Sequence, residues 1–345
     1  MKSQLFDKLS TATHLLLNCE NDFFEMKKAI DLMYEIYTSI SDIRADDFTQ
    51  EEIILPTGKA ISPGAAAHCL LELQRTAVFL RGIFKAIQDA ADKNKKRPIT
   101  ILYAGCGPYA TLLTPLLTIL PPEQLQVDLL DINEITLESA KKIIAELELG
   151  DSVGNFILTD AATYTIPAGT KYDILLSETM QACLDHEPQV AILKNLVPQL
   201  SDDAIVIPEA VEIDARLVDP RQEQKHLFYS QTPKPDPERI ALGKVLILHK
   251  GRLSGGDHDG EVTVPDKIGT CVELKLFTTV RVFGDLQLIE NNSSITMAKK
   301  YYDFSHHQYA RKIRFRYDQT GGPLPKMDCR VIEDNDTAAI FNLEA

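Results

Sequence analysis

The spacing of apolar positions changes character twice along the chain. Over residues 1–97 apolar residues recur at helical intervals, as in FFEMKKAIDLMYEIYTSI (23–40) and AAAHCLLELQRTAVFLRGIFKAIQDAA (65–91). Ser62-Pro63 is a start signal for one long second helix, and DKNKK (92–96) is a basic end. From residue 98 short apolar runs alternate with helical patterns. The spacing predicts strands over 99–104, 126–131, 155–159, 172–177 and 204–208, and helices over 109–119, 133–148 and 187–199. Near-continuous apolar strands separated by helices imply a parallel sheet covered on both faces, hence an α/β doubly wound fold. After 210 the pattern becomes a series of strands between turns: 210–219, 244–251, 271–284, 286–290, 294–304, 311–318 and 329–334. This implies an antiparallel sheet or barrel with few helices, in which TPKPDPE (232–238) and SGGDHDG (254–260) are surface loops. The chain therefore divides into a helical cap (1–97), an α/β domain (98–210) and a β-rich domain (211–345).

In open parallel sheets ligands sit at the carboxyl ends of the strands. The stretch after the first strand, Gly105-Cys106-Gly107-Pro108-Tyr109-Ala110, fits G-x-G-x-x-G/A, where glycines let backbone approach a ligand. Alone it suits a dinucleotide, a phosphate or something else. Asp131 follows the second strand, where a carboxylate can accept both hydroxyls of a ribose or cap the next helix. Asp160 follows the third, where it can accept from an adenine amino group. The fourth ends in SETMQACLDHE (177–187), a poor neighbour for a pyrophosphate. The chain has no G-x-x-x-x-G-K-[ST], H-E-x-x-H or G-x-S-x-G motif.

In this order LYAGCGPYA, LLDIN, LTDAA and YDILLSE resemble the class I S-adenosylmethionine-dependent methyltransferases over roughly residues 98–210. The resemblance implies a Rossmann-like sheet that binds S-adenosyl-L-methionine. Gly105 and Gly107 would lie against its methionine part, Asp131 would take the ribose hydroxyls, Ile132 would pack on the adenine and Asp160 would hold the amino group. Two further stretches are similar to the protein arginine methyltransferases. LLELQRTAVFLRGIF (70–84) carries Glu72, Arg75 and Thr76 in that family's Asp/Glu-x-x-Arg-Thr pattern, whose arginine meets the cofactor carboxylate. In SETMQACLDHE, Glu178 and Glu187 stand nine positions apart, as in the family's paired-glutamate loop, and Met180 also matches.

The chemistry behind that pairing is simple. A guanidinium is planar, always charged and a poor nucleophile. Two carboxylates can grip its N–H edges, aim one nitrogen at a sulfonium methyl and accept its proton. His186, inside the same loop, is a further general-base candidate. The chain departs from the family in having no tryptophan, so its Thr-His-Trp loop is absent as such. His306-His307 is the nearest stretch, Gln181 replaces a glycine, and no aromatic-rich helix is evident over 50–66. These gaps bring small guanidino compounds alongside peptides as substrates, with the helical N-terminus a lid over a small ligand. The readings that remain beside this one are a small-molecule O-, N- or C-methyltransferase and a cofactor-binding protein without catalysis.

Composition narrows the partners. The formal charge of −14 over 345 residues argues against a phosphate backbone, so no nucleic acid is expected. No apolar run is long enough to span a bilayer, and Leu15–Leu17 is too short for a signal peptide. The six cysteines (19, 69, 106, 183, 271 and 329) form no C-x-x-C pair, which implies free thiols in a reducing cytoplasm and no metal site. The resemblance implies a homodimer.

Overall fold

The structure is a computed structural model that describes residues 3–20, 22–47, 49, 51–93, 97–228, 236–253, 259–305, 310–319, 322 and 324–333. Helices α1 (Gln4–Asn18) and α2 (Phe23–Ile40) form a hairpin. Ser3 and Asp22 cap their first turns by accepting from backbone N–H groups. The hairpin packs its apolar faces against the α/β part. Thr13 donates to the Pro115 carbonyl, Tyr37 stacks on Tyr109 at 5.0 Å, and the Ser41 and Ser139 hydroxyls meet at 2.6 Å. The chain then makes a two-stranded hairpin, β1 (Ile53–Leu55) and β2 (Gly58–Ala60), followed by α3 (Pro63–His68).

The long helix expected from Ser62 onward is two helices. Ser62 does cap α3, accepting from Ala65 N–H. A 3-10 turn at Cys69–Leu71 and an extended Glu72 (ψ 92°) then interrupt it before α4 (Leu73–Lys93). The Thr76 hydroxyl donates to the Leu70 carbonyl at 2.9 Å, satisfying an acceptor that the break leaves without a helical partner. Apolar spacing carries straight across this interruption, so periodicity alone does not reveal it.

The α/β part runs β3 (Ile99–Ala104), α5 (Thr114–Leu117), β4 (Leu125–Asp131), α6 (Glu134–Glu146), β5 (Val153–Leu158), β6 (Ile174–Ser177), α7 (Gln189–Leu196) and β7 (Ile205–Ile207). All five strands are parallel, in the order β5-β4-β3-β6-β7. Ala104 lies level with Leu130 on one side and Ser177 on the other, which brings the ends of β3, β4 and β6 together at the switch point. Only four residues of the expected 109–119 helix form α5, since Ala110 adopts φ +44° and prolongs the preceding loop.

The β-rich part comprises β8 (Ala210–Val218), α8 (Pro220–Phe228), β9 (Arg239–His249), β10 (Asp259–Thr263), β11 (Glu273–Phe283), β12 (Leu286–Leu288), β13 (Lys299–Asp303), β14 (Ala310–Asp318) and β15 (Lys326–Glu333). They form two antiparallel sheets, β12-β11-β8-β9 with β13 also on β11, and β10-β14-β15. Sequence pattern missed α8, although Asp219 caps it by accepting from Arg221 and Gln222 N–H and Pro220 opens it. It also missed β10, part of which falls in the SGGDHDG stretch. Gly260 lets β10 cross close to β9, since a Cβ there would meet the Val245 carbonyl oxygen at 2.4 Å. Helix α4 joins the two parts at Gly82, where a Cβ would meet Val282 Cγ1 at 2.5 Å.

Candidate active site

At the end of β3 the chain turns through Gly105 and Gly107, with φ of +75° and +70°. A side chain at Gly105 would also meet Thr179 Cγ2 at 2.3 Å. The amides of Gly105 and Cys106 donate to the Leu130 carbonyl, stitching the loop to β4. Asp131, the last residue of β4, accepts from Gly107 N–H at 3.0 Å and Asn133 N–H at 2.9 Å, one bond on each carboxylate oxygen. Each oxygen keeps a lone pair for a ligand hydroxyl. Burial pushes its pKa up, and the backbone N–H groups pull it back. Asn133, not Asp131, caps α6. Asp160 follows β5 and accepts from Ala162 N–H at 2.8 Å.

The break before α4 sets Arg75 beside the end of β6. Its Nε donates to Glu178 Oε2 at 3.2 Å, Nη2 donates to the same oxygen, and Nη1 donates to Glu72 Oε2 at 3.2 Å. Glu72 Oε1 accepts from Ser294 N–H at 3.3 Å, so the turn at 294–296 in the β-rich part reaches this network. His306 and His307 lie outside the described residues. Glu178 Oε1 is buried and has no hydrogen-bond partner among the described residues. Leaving such an acceptor bare costs about 1–3 kcal/mol, a debt that a donor entering the site would remove.

Glu187 lies across the loop, 7% exposed. Burial first, then the neighbouring charge of Glu178, push its carboxyl pKa up to about 7, against the opposing pull of Arg75, Gln181 and Lys59. Glu178 is pushed up mainly by its burial and held back by Arg75. Gln189, fully buried at the start of α7, fixes the spacing between the two acids. Its side-chain oxygen accepts from Thr179 N–H at 2.9 Å and its Nε2 donates to the Ser177 carbonyl at 3.0 Å. Nothing in the local sequence pattern marks it.

The loop between the glutamates is backbone-strained. Cys183, Leu184 and His186 have φ of +64°, +60° and +67°, a conformation costing non-glycine residues roughly 1–3 kcal/mol each. Glu187 N–H donates to the Asp185 carbonyl at 2.8 Å across His186, which makes His186 the centre of the rare, strained form of γ-turn.

One cavity is lined by Arg75, Gly105, Gly107, Asp131, Ile132, Asp160, Glu178 and Glu187. Of the residues expected to form a site, His186 does not line it. Its backbone is engaged instead, N–H to the Pro325 carbonyl at 2.7 Å and C=O from Lys59 N–H at 2.8 Å, while burial pushes its imidazole pKa down. Sequence reasoning missed the β1–β2 hairpin, whose Leu55, Lys59 and Ala60 face the cavity. Gly58 (φ +140°) sits so close to the glutamate loop that a Cβ would be 2.9 Å from Glu187 C and Pro188 N. The Pro56-Thr57-Gly58 turn was its only local signal. Cys106, another lining residue, and Cys183 are buried, and burial pushes both thiols up, Cys183 to about 12, as befits packing groups.

No family model matches the chain, and no curated sequence matches it. Solved structures do. PRMT6 superposes with a TM-score of 0.56 at 12% identity, covering 77% of this chain and 98% of that one. The fold is that of the arginine methyltransferases PRMT1 and PRMT6. PRMT6 with SAH gives 0.53 at 11% identity over 78% and 99% of the two chains. The Trypanosoma brucei PRMT1 enzyme–prozyme heterotetrameric complex with AdoHcy gives 0.51 at 12% identity over 81% and 96%. At such identity the arginine methyltransferase likeness is one of fold, and the residues of this site speak for its chemistry.

Proposed function

We propose that this chain is an S-adenosyl-L-methionine-dependent N-methyltransferase acting on a guanidino nitrogen of a small molecule or peptide. The observation that carries the reading is one cavity in which a glycine turn with two acids meets two buried glutamates, one with an oxygen that has no partner among the described residues. The cavity suits the cofactor: Gly105 and Gly107 keep it free of side chains, Asp131 has lone pairs for a ribose, Ile132 offers an apolar face to an adenine and Asp160 an acceptor for its amino group. That two neighbouring structures hold SAH or AdoHcy supports the same assignment.

The bound cofactor would supply an electrophilic methyl group on a sulfonium. The chain's residues do the rest. Arg75 offers a fork of donors to the cofactor's carboxylate in place of Glu178. Glu178, released, and Glu187 take the N–H edges of the guanidinium and fix one nitrogen in line with the methyl carbon. The transferred methyl group would exchange its bond to sulfur for one to the guanidino nitrogen, and a glutamate would accept the proton that the nitrogen sheds. With its pKa pushed up to about 7, Glu187 is about half protonated at neutral pH, and an arriving cation would favour the carboxylate. The acceptor's own charge thus prepares its base.

The test is transfer of an isotope-labelled methyl group from S-adenosyl-L-methionine to free arginine, guanidino acids and arginine peptides, located by mass spectrometry. Label on a guanidino nitrogen is expected. Label only on oxygen, carbon or other nitrogen acceptors would move the reading to another methyltransferase. None at all, from protein that binds S-adenosylhomocysteine, would leave a binding protein.

A further inference from the structure

The paired glutamates are separated by a loop whose backbone does not favour its own shape, so something must hold it. Asp185, 6% exposed, is the side chain best placed to do so. Its Oδ2 accepts from Lys299 Nζ at 2.6 Å and from the Tyr301 hydroxyl at 3.3 Å, both on β13. Its Oδ1 accepts from Met327 N–H at 3.0 Å, on β15. Its carbonyl is the acceptor of the γ-turn that presents Glu187. One residue therefore ties the turn to both antiparallel sheets and ends two positions from the acid. The neighbouring bonds are to backbone: Thr278 Oγ1 accepts from Cys183 N–H at 2.9 Å, and the Tyr317 hydroxyl donates to the Leu184 carbonyl at 2.7 Å.

We propose that Asp185 is a positioning residue for guanidino methyl transfer, clamped between the two β sheets so that the strained turn at His186 aims Glu187 at the acceptor. This rests on the guanidino reading of the site. Asp185 does not line the cavity. Its effect passes through Glu187, which makes the β-rich part a determinant of catalysis as well as a neighbouring scaffold. Lys299 is the natural second probe, since its side chain is 36% exposed and its loss leaves the core intact.

The test compares Asp185→Ala, Asp185→Asn and Lys299→Met with wild type in the full chain. Three readouts are taken: S-adenosylhomocysteine affinity by calorimetry, steady-state transfer to the best guanidino acceptor, and hydrogen exchange of the amides at 183–187. Expected are unchanged S-adenosylhomocysteine affinity and a fall in turnover of about 100-fold for Asp185→Ala, the scale of an ångström-sized misplacement. Exchange in the loop should quicken about tenfold while β3 stays protected. Asp185→Asn, which keeps two acceptor–donor contacts but not the charge, and Lys299→Met should fall between. Wild-type turnover and loop protection in both Asp185→Asn and Lys299→Met would overturn the proposal, and these two decide it if Asp185→Ala does not fold. Should wild type methylate no guanidino acceptor, the guanidino reading fails, and the exchange data still decide whether Asp185 holds the loop.

Discussion

Glu187 shows how one side chain can couple stability to function. Its pKa in the fold is about 7 against an unfolded value of 4.5. The folded state therefore holds the proton more tightly, and the stability this confers is complete below pH 4.5 and lost as pH rises through 7. Wild type without ligand should lose up to about 3 kcal/mol relative to Glu187→Gln between pH 5 and 8, read by denaturant unfolding at each pH. Parallel pH profiles would refute the burial argument. His186 gives a second residue-scale prediction. Because glycine adopts its φ of +67° without strain, His186→Gly should keep turnover near wild type. A collapse of kcat would restore the imidazole as a general base. Residue identities such as Asp131, Asp160, Arg75 and the two glutamates were legible because each follows a strand end or sits in a spaced motif. The bond from Gly107 to Asp131 and the network from Arg75 to Glu72 and Glu178 were not, since they join residues far apart in sequence.

At the scale of elements, the buried strands β3, β4 and β6 were readable as apolar runs, and the order of the Rossmann-like part followed from alternation. The failures share a cause. The break before α4, the shortness of α5 and the β1–β2 hairpin are each set by tertiary contacts rather than by local period. The hairpin matters most. Lys59 N–H bonds the His186 carbonyl, and Gly58 packs on the peptide joining Glu187 and Pro188. Gly58→Val should lift the hairpin off the loop, costing about 1–3 kcal/mol of stability and raising the KM for acceptor more than that for cofactor. Equal changes in both would mean that the hairpin guards the whole cavity instead of its glutamate side.

At the scale of the whole molecule, three sequence regimes build one cavity: the hairpin and α4 from the first, strand ends from the second, and the clamp on the loop from the third. Among the described residues no helix is long and apolar enough to cross a membrane. A ligand that joins these parts should stabilise them together. S-adenosylhomocysteine at about 100 times its Kd should add about 2.7 kcal/mol, seen as a rise in Tm that NAD does not reproduce. A rise with NAD and none with S-adenosylhomocysteine would favour a dinucleotide in the glycine turn.

The most direct measurement is an experimental structure of the chain with S-adenosylhomocysteine and a guanidino acceptor bound together. Expected are the S-adenosylhomocysteine carboxylate on Arg75, its ribose on Asp131, and the guanidinium between Glu178 and Glu187 with one nitrogen facing the sulfur. An acceptor seated elsewhere, or Arg75 still paired with Glu178 when both ligands are present, would contradict it.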